Sequence, residues 1–159
     1  MKCNNCGNEV SGVSKDLICP ACGKAFIFEN IDDLVACVIS QEGLSIVSKH
    51  GAFISTLRDY APYLNDDIRL VQIAVDAGIY DELIATDGKP DVQKKGQIKK
   101  SIEKLKISYF LDEHQAARSV GIIVNCMGWH PTLLNGVPID SATVNSNDNI
   151  FVKYILPFL

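Results

Sequence analysis

The chain has 159 residues, 47% hydrophobic and 21% charged, enough for one good core with a small auxiliary module beside it. A formal net charge of -4 gives no general attraction to nucleic acid or to an anionic membrane. Residues 1–7 are polar and carry two cysteines, unlike a secretory signal, and no apolar run approaches the roughly 18 residues of a membrane span. A cytoplasmic location is expected by elimination.

The first element is set by cysteines. Cys3-Asn-Asn-Cys6-Gly7 and Cys19-Pro-Ala-Cys22-Gly23 are two C-x-x-C-G units, with Cys37 and Cys126 standing alone in apolar stretches far from them. An oxidised secreted domain spreads its cysteines along the chain as staples, whereas two matched pairs within a short segment have metal-ligand spacing. Two residues between cysteines let a tight turn aim both sulfurs at one point, about 2.3 Å from a zinc ion. The following glycine can adopt the left-handed backbone that completes such a knuckle. Its amide and that of the next residue are then expected to donate to the thiolates.

Two other readings of these cysteines fit less well. A thioredoxin-like redox motif has one C-x-x-C inside a βαβ unit, which is not the pattern here. A rubredoxin-like iron site shares the double knuckle and Cys19-Pro20, but with a longer gap and an aromatic cluster absent from this segment. The segment resembles the zinc-ribbon family through Cys3, Cys6, Gly7, Cys19, Pro20, Cys22 and Gly23, over about the first 28 residues. The resemblance implies one structural Zn2+ held by Cys3, Cys6, Cys19 and Cys22 in a closed site, with no open position for catalysis. Residues 1–28 carry Lys2, Lys15 and Lys24 against Glu9 and Asp16 and no arginine, about -1 once four thiolates and a zinc ion are counted. That favours a protein-docking or structural ribbon over a nucleic-acid ribbon, which would show a basic, arginine-bearing face.

Phe26-Ile27-Phe28 is predicted as the last ribbon strand. Asn30-Ile-Asp32-Asp33 reads as a helix start, with Asn30 as N-cap and Leu34, Val35 and Val38 inward, stopping near Gly43. Leu44 to His50 and Ala52 to Tyr60 are predicted as two short helices broken by Gly51, the second stopped by Pro62. Asn65 is expected to cap a helix with Ile68, Val71 and Val75 on one face, ended by Gly78. Tyr80 to Ala85 adds a turn or two, and residues 86–90 form a loop. Asp91 to Lys106 is a further helix with Ile98, Ile102 and Leu105 on one face. Asp112-Glu-His-Gln115 has capping-box spacing and opens a helix with Ala116, Val120, Ile123 and Met127 inward, ending at Gly128.

Residues 30–128 are thus expected to form a mainly α bundle of five or six short helices. This region also resembles a helical module appended to bacterial signalling or ATPase proteins, through Leu57-Arg58-Asp59-Tyr60-Ala61-Pro62, Asp67-Ile68-Arg69-Leu70, Ala77-Gly78-Ile79 and the helix Ala116 to Trp129. The resemblance implies a non-catalytic appendage.

In the tail, residues 129–159, Asn135-Gly136 between apolar pairs predicts a short C-terminal β hairpin packed on the bundle, with Ile150 to Leu156 a second β-prone run. The Asn-Gly turn followed by Asp148-x-Ile150 is similar to the closing strands of small β domains, forkhead-associated ones included. No phosphate-reading part of that fold precedes it. The alternative, from the apolar ending Ile155 to Leu159, is a chain cut short within a larger β domain.

His50, His114 and His130 are the three histidines, each expected in a helix-end or loop role. No H-E-x-x-H, G-x-S-x-G or phosphate-loop pattern occurs, so no catalytic residue is assigned and the chain is read as non-enzymatic. Cys37 and Cys126 read as small buried hydrophobes. Between Lys89 and Lys106, seven lysines face two acids. They wrap the helix without interleaved arginines or aromatics, which suits a solvated face better than a nucleic-acid grip. The function expected is a protein-interaction or scaffold module with structural zinc. The alternative is a nucleic-acid binder using the ribbon and helix 91–106.

Overall fold

The computed structural model describes residues 2, 3, 5–9 and 18–134, and all structural statements concern these residues. They form six α-helices: α1 (Ile31–Glu42), α2 (His50–Tyr60), α3 (Asn65–Asp76), α4 (Ile79–Ala85), α5 (Asp91–Ser108) and α6 (Glu113–Cys126). Three 3-10 turns lie between or after them, at Leu44–Ser48, Pro62–Leu64 and Pro131–Leu134. No helix among the described residues is long and apolar enough to cross a membrane.

Helix α6 is the hub. Its residues Ala116, Ala117, Ser119, Val120, Gly121, Ile122, Ile123 and Val124 are all buried, the near-continuous burial of a helix surrounded on most sides. It packs against α1, α3, α4 and α5. The facing positions are Leu34, Val35 and Val38 of α1, Ile68, Val71 and Val75 of α3, and Ile98, Ile102 and Leu105 of α5, all buried. Each set recurs at three- and four-residue steps, so one apolar stripe per helix accounts for the bundle.

The helix starts follow local chemistry where a side chain can cap. Asn30 Oδ1 accepts from the Asp33 amide at 2.9 Å. At α6 the capping box is complete: Asp112 Oδ1 accepts from the Gln115 amide at 2.8 Å, and Gln115 Oε1 accepts from the Asp112 amide at 3.3 Å. Two expected boundaries move. Gly51 lies inside α2, which begins at His50, because the break falls at Lys49 and residues 44–48 form a 3-10 turn instead of an α-helix. Asn65 is the first residue of α3 and makes no cap hydrogen bond, because the turn led by Pro62 runs straight into the helix.

The β parts of the expected fold need correction. Among the described residues there is no strand, only single bridges between Lys2 and Glu9 and between Ile18 and Ala25. Each cysteine turn closes within eight residues, so one pair forms at its mouth before the backbone diverges. Phe26 to Phe28 is not a ribbon strand either. Phe26 and Phe28 insert into the common core, and the Phe28 amide donates to the Tyr63 hydroxyl at 2.8 Å instead of to a neighbouring strand. The predicted C-terminal hairpin is overturned at its start, where Pro131–Leu134 is a 3-10 turn with Leu133 buried. The turn at Asn135-Gly136 and the run Ile150 to Leu156 lie outside the described residues.

Polar ties join helices that the apolar stripes alone would let slide. Buried Tyr80 donates its hydroxyl to the Ser119 carbonyl at 2.7 Å, and Ser119 Oγ donates to the Leu70 carbonyl at 3.1 Å, so α3, α4 and α6 are laced together. Burial, then the neighbouring Cys126, pushes the phenol far above its ordinary range, so it stays a donor at every working pH. Tyr80→Phe should cost about 1 kcal/mol by urea unfolding, since shape is kept and one buried hydrogen bond is lost. An unchanged midpoint would show that the bond contributes nothing net.

Candidate metal centre

The two knuckles are built alike. The Gly7 amide donates to the Cys3 carbonyl at 2.9 Å, and the Gly23 amide to the Cys19 carbonyl at 2.8 Å. The Cys3 amide donates to the Asn8 carbonyl at 3.0 Å, and the Cys19 amide to the Lys24 carbonyl at 2.9 Å. Gly7 and Gly23 both have φ of 73°, the left-handed conformation that a side chain disfavours. The repeated pattern explains the repeated sequence: each C-x-x-C-G unit turns the chain through the same backbone bonds and the same left-handed glycine.

The turns bring Cys3, Cys6, Cys19 and Cys22 together, with all four sulfurs within 4.8 Å of one another. Cys3 Sγ lies 3.7 Å from Cys22 Sγ, and Cys6 Sγ lies 3.8 Å from Cys19 Sγ. Four sulfurs about 2.3 Å from one ion at the corners of a tetrahedron stand about 3.8 Å apart, so these cross-knuckle separations match a shared four-coordinate ion. They are far longer than the ~2.05 Å of a disulfide. The four cysteines are a potential metal-binding site compatible with an ion such as zinc. Cys3 and Cys19 are buried, Cys22 is half-buried and Cys6 is exposed.

Backbone amides tune the sulfurs. The amides of Cys6 and then Asn5 hold the Cys3 thiol down, at about 6. At Cys6 the Asn8 amide pulls downward, but burial and the thiols of Cys3, Cys22 and Cys19 together push it up, to about 11. The Lys24 amide, then the Asn5 side chain, lowers Cys22. Four crowded thiols cannot all ionise without a cation, and a divalent ion supplies the missing charge. The sequence expectation for these donors is half met. The amides of Asn8 and Lys24 reach sulfur, whereas those of Gly7 and Gly23 go to carbonyl oxygens.

The remaining candidates serve the fold. His50 Nε2 lies 3.0 Å from Asp81 Oδ2 while Ser48 Oγ donates to Asp81 Oδ1 at 2.8 Å. Both bond the same carboxylate, so the serine has no histidine base and the trio ties α2 to α4. His130 Nδ1 lies 2.8 Å from Thr132 Oγ1 in the last turn, and His114 is exposed at the start of α6. Burial, then Asp33, pushes the Cys37 thiol up to about 11, and burial, then Asp32 and Asp33, raises Cys126 further. Neither is an activated thiolate.

One cluster is not evident from the sequence: Arg118 is not singled out there, and Asp32 and Asp67 read only as local helix residues. Arg118 of α6 reaches Asp32 of α1 at 3.6 Å and Asp67 of α3 at 3.8 Å. Its only sequence signal is a lone charge in the apolar half of α6. Comparison with family models, with curated proteins and with solved structures gives no match to this chain.

Proposed function

We propose that the cysteine cluster is a structural zinc clasp and that the protein works as a non-enzymatic interaction or scaffold module in a reducing compartment such as the cytoplasm. The observation that carries this reading is the cross-knuckle sulfur spacing of 3.7 and 3.8 Å. Four thiolates complete a tetrahedral zinc shell and leave no position for a water or substrate, so the ion holds backbone rather than performing hydrolysis. The thiols must stay reduced to bind, which sets the compartment.

The nucleic-acid alternative rests on α5, where three of the lysines are already engaged. Lys94 Nζ sits 5.0 Å from the Trp129 ring centroid, Lys104 donates to the Ala77 carbonyl at 2.9 Å, and Lys106 pairs with Glu103 and Glu113. Native mass spectrometry should find about one zinc per chain; less than about half an equivalent removes the clasp. Titration with generic DNA and RNA at about 50 mM salt should show no micromolar binding. Tight binding that falls steeply with salt would replace this reading with the alternative.

A further inference from the structure

Helix α5 covers the core with one side and turns an unusual face outward. Taking Val92 as zero at 100° per residue, Lys99, Glu103, Gly96 and Ile107 fall within an arc of about 80° around it, with Lys95 and Lys100 just outside on either side. Val92 is 83% exposed and Ile107 70%, and Phe110, just past the end of the same helix, is 89% exposed. Lys95, Lys99 and Lys100 are exposed and have no ion pair among the described residues. Glu103 is paired with Lys106 at 3.3 Å.

One residue on this face and one just past its end break local rules without recompense inside the chain. Phe110 has φ of 57°, the only positive value at a non-glycine among the described residues. The Leu111 amide reaches back to the Leu105 carbonyl at 3.2 Å, so Phe110 occupies the left-handed helix-ending position where glycine is ordinarily found. Its ring is not buried. Gly96 lies in the middle of an 18-residue helix, and a Cβ there would meet nothing within 4 Å. It weakens the helix without admitting any neighbour from its own chain. Unrepaid local violations of this kind mark functional surfaces.

We propose that the outer face of α5 docks an acidic amphipathic helix of a partner protein. The partner's apolar side would rest on Val92, Ile107 and Phe110, its backbone would approach closely over Gly96, and its carboxylates would meet Lys95, Lys99 and Lys100. The face spans about 27 Å, enough for a helix of four to five turns. Charge decides against a basic or neutral partner, and a surface with no arginine and a single aromatic ring, set apart from the lysines, decides against RNA. This inference rests on the protein-interaction reading above.

The probe is a labelled, helical 20-residue peptide with leucines at three- and four-residue spacing and glutamates elsewhere, titrated with the full chain and read by fluorescence anisotropy. Micromolar binding is expected, weakening severalfold from about 50 to 300 mM salt. Phe110→Gly and Gly96→Gln should each lower affinity at least about tenfold while leaving Tm unchanged or raised. The double change Lys99→Glu, Lys100→Glu should lower it similarly. No binding by about 1 mM, equal binding of a lysine-for-glutamate peptide, indifference to these substitutions, preference for a generic RNA, or self-association through the same face would each overturn the proposal. Photo-crosslinkers placed in cells at Ile107 and at Ile27 separate the two levels. Protein captured at Ile27 but not at Ile107 refutes docking on α5 alone. RNA and no protein at both positions refutes the interaction reading as well.

Discussion

Stripping the metal with a chelator at neutral pH, or replacing Cys19 by serine, should release the cysteine segment while the helices persist. Amide exchange should rise toward unprotected rates in residues 2, 3, 5–9 and 18–25, and far-UV helical signal should remain. The reason lies in what holds each part. Among the described residues, the segment is held by the paired carbonyl and amide bonds of the two turns, single bridges at Lys2–Glu9 and Ile18–Ala25, and the burial of Cys3 and Cys19. A four-cysteine zinc site contributes on the order of 10 kcal/mol of apparent binding energy, so losing it removes most of what orders these turns.

The bundle should notice chiefly through Phe26 and Phe28, the largest residues of the cysteine end in the common core, with ring centroids 6.1 Å apart. If both loosen, about 2–3 kcal/mol of burial is weakened and Tm drops by roughly 10 °C or more. Because thiolates rather than thiols bind the ion, the metal-dependent part of stability is present at neutral pH and lost on acidification as protons compete for the sulfurs. Unchanged exchange after complete metal removal would show that the knuckles fold unaided.

Replacing Arg118 by methionine should cost about 3 kcal/mol by urea unfolding. Asp32 is 7% exposed in the first turn of α1, and Arg118 is its cationic neighbour at 3.6 Å. Burial raises the Asp32 carboxyl above the ordinary range, and the Arg118 charge only partly offsets it. At 3.6 and 3.8 Å the guanidinium contacts are ion pairs longer than good hydrogen bonds, so desolvation wins. Without Arg118 the buried carboxylate has lost its cation while Asp67 still repels it.

The sign of the pH effect follows. A carboxyl whose folded pKa lies above its unfolded value binds its proton more tightly in the folded state. Its favourable contribution is complete below the unfolded pKa, about 4, and is lost as pH rises through the folded value. Asp32→Asn should therefore be near neutral or stabilising at pH 7, and its advantage over the wild type should shrink as pH falls toward 5. Comparing the two proteins at each pH cancels the metal's own pH dependence. An Asp32→Asn variant weaker than wild type at pH 7 by more than about 2 kcal/mol would mean that the ion pair, not burial, dominates.

Features set within a few residues were legible in the chain itself. Each C-x-x-C-G turn, the Asn30 cap and the Asp112–Gln115 capping box involves groups no more than about five residues apart, whereas the two cysteine turns meet each other across 13 and 19 residues. The geometry of each local unit follows from backbone reach and side-chain chemistry alone. The apolar stripes of α1, α3, α5 and α6 were readable for the same reason, since a helix repeats over a few residues. Where local signals competed, they misled: Gly51 looked like a break and Asn65 like a cap. Phe26-Ile27-Phe28 looked like a strand, yet its two rings had a core to enter and its amide a Tyr63 hydroxyl to meet.

What the sequence determined on its own is that this chain carries a four-cysteine cluster suited to a metal and helices with one apolar side each. Only the tertiary structure decided which distant groups meet. Arg118 joins Asp32 and Asp67, Lys104 takes the Ala77 carbonyl, and α5 leaves Val92 and Ile107 exposed, with Phe110 exposed just past its end. Those outcomes depend on how six helices pack around α6, and no residue's immediate neighbours carry that information.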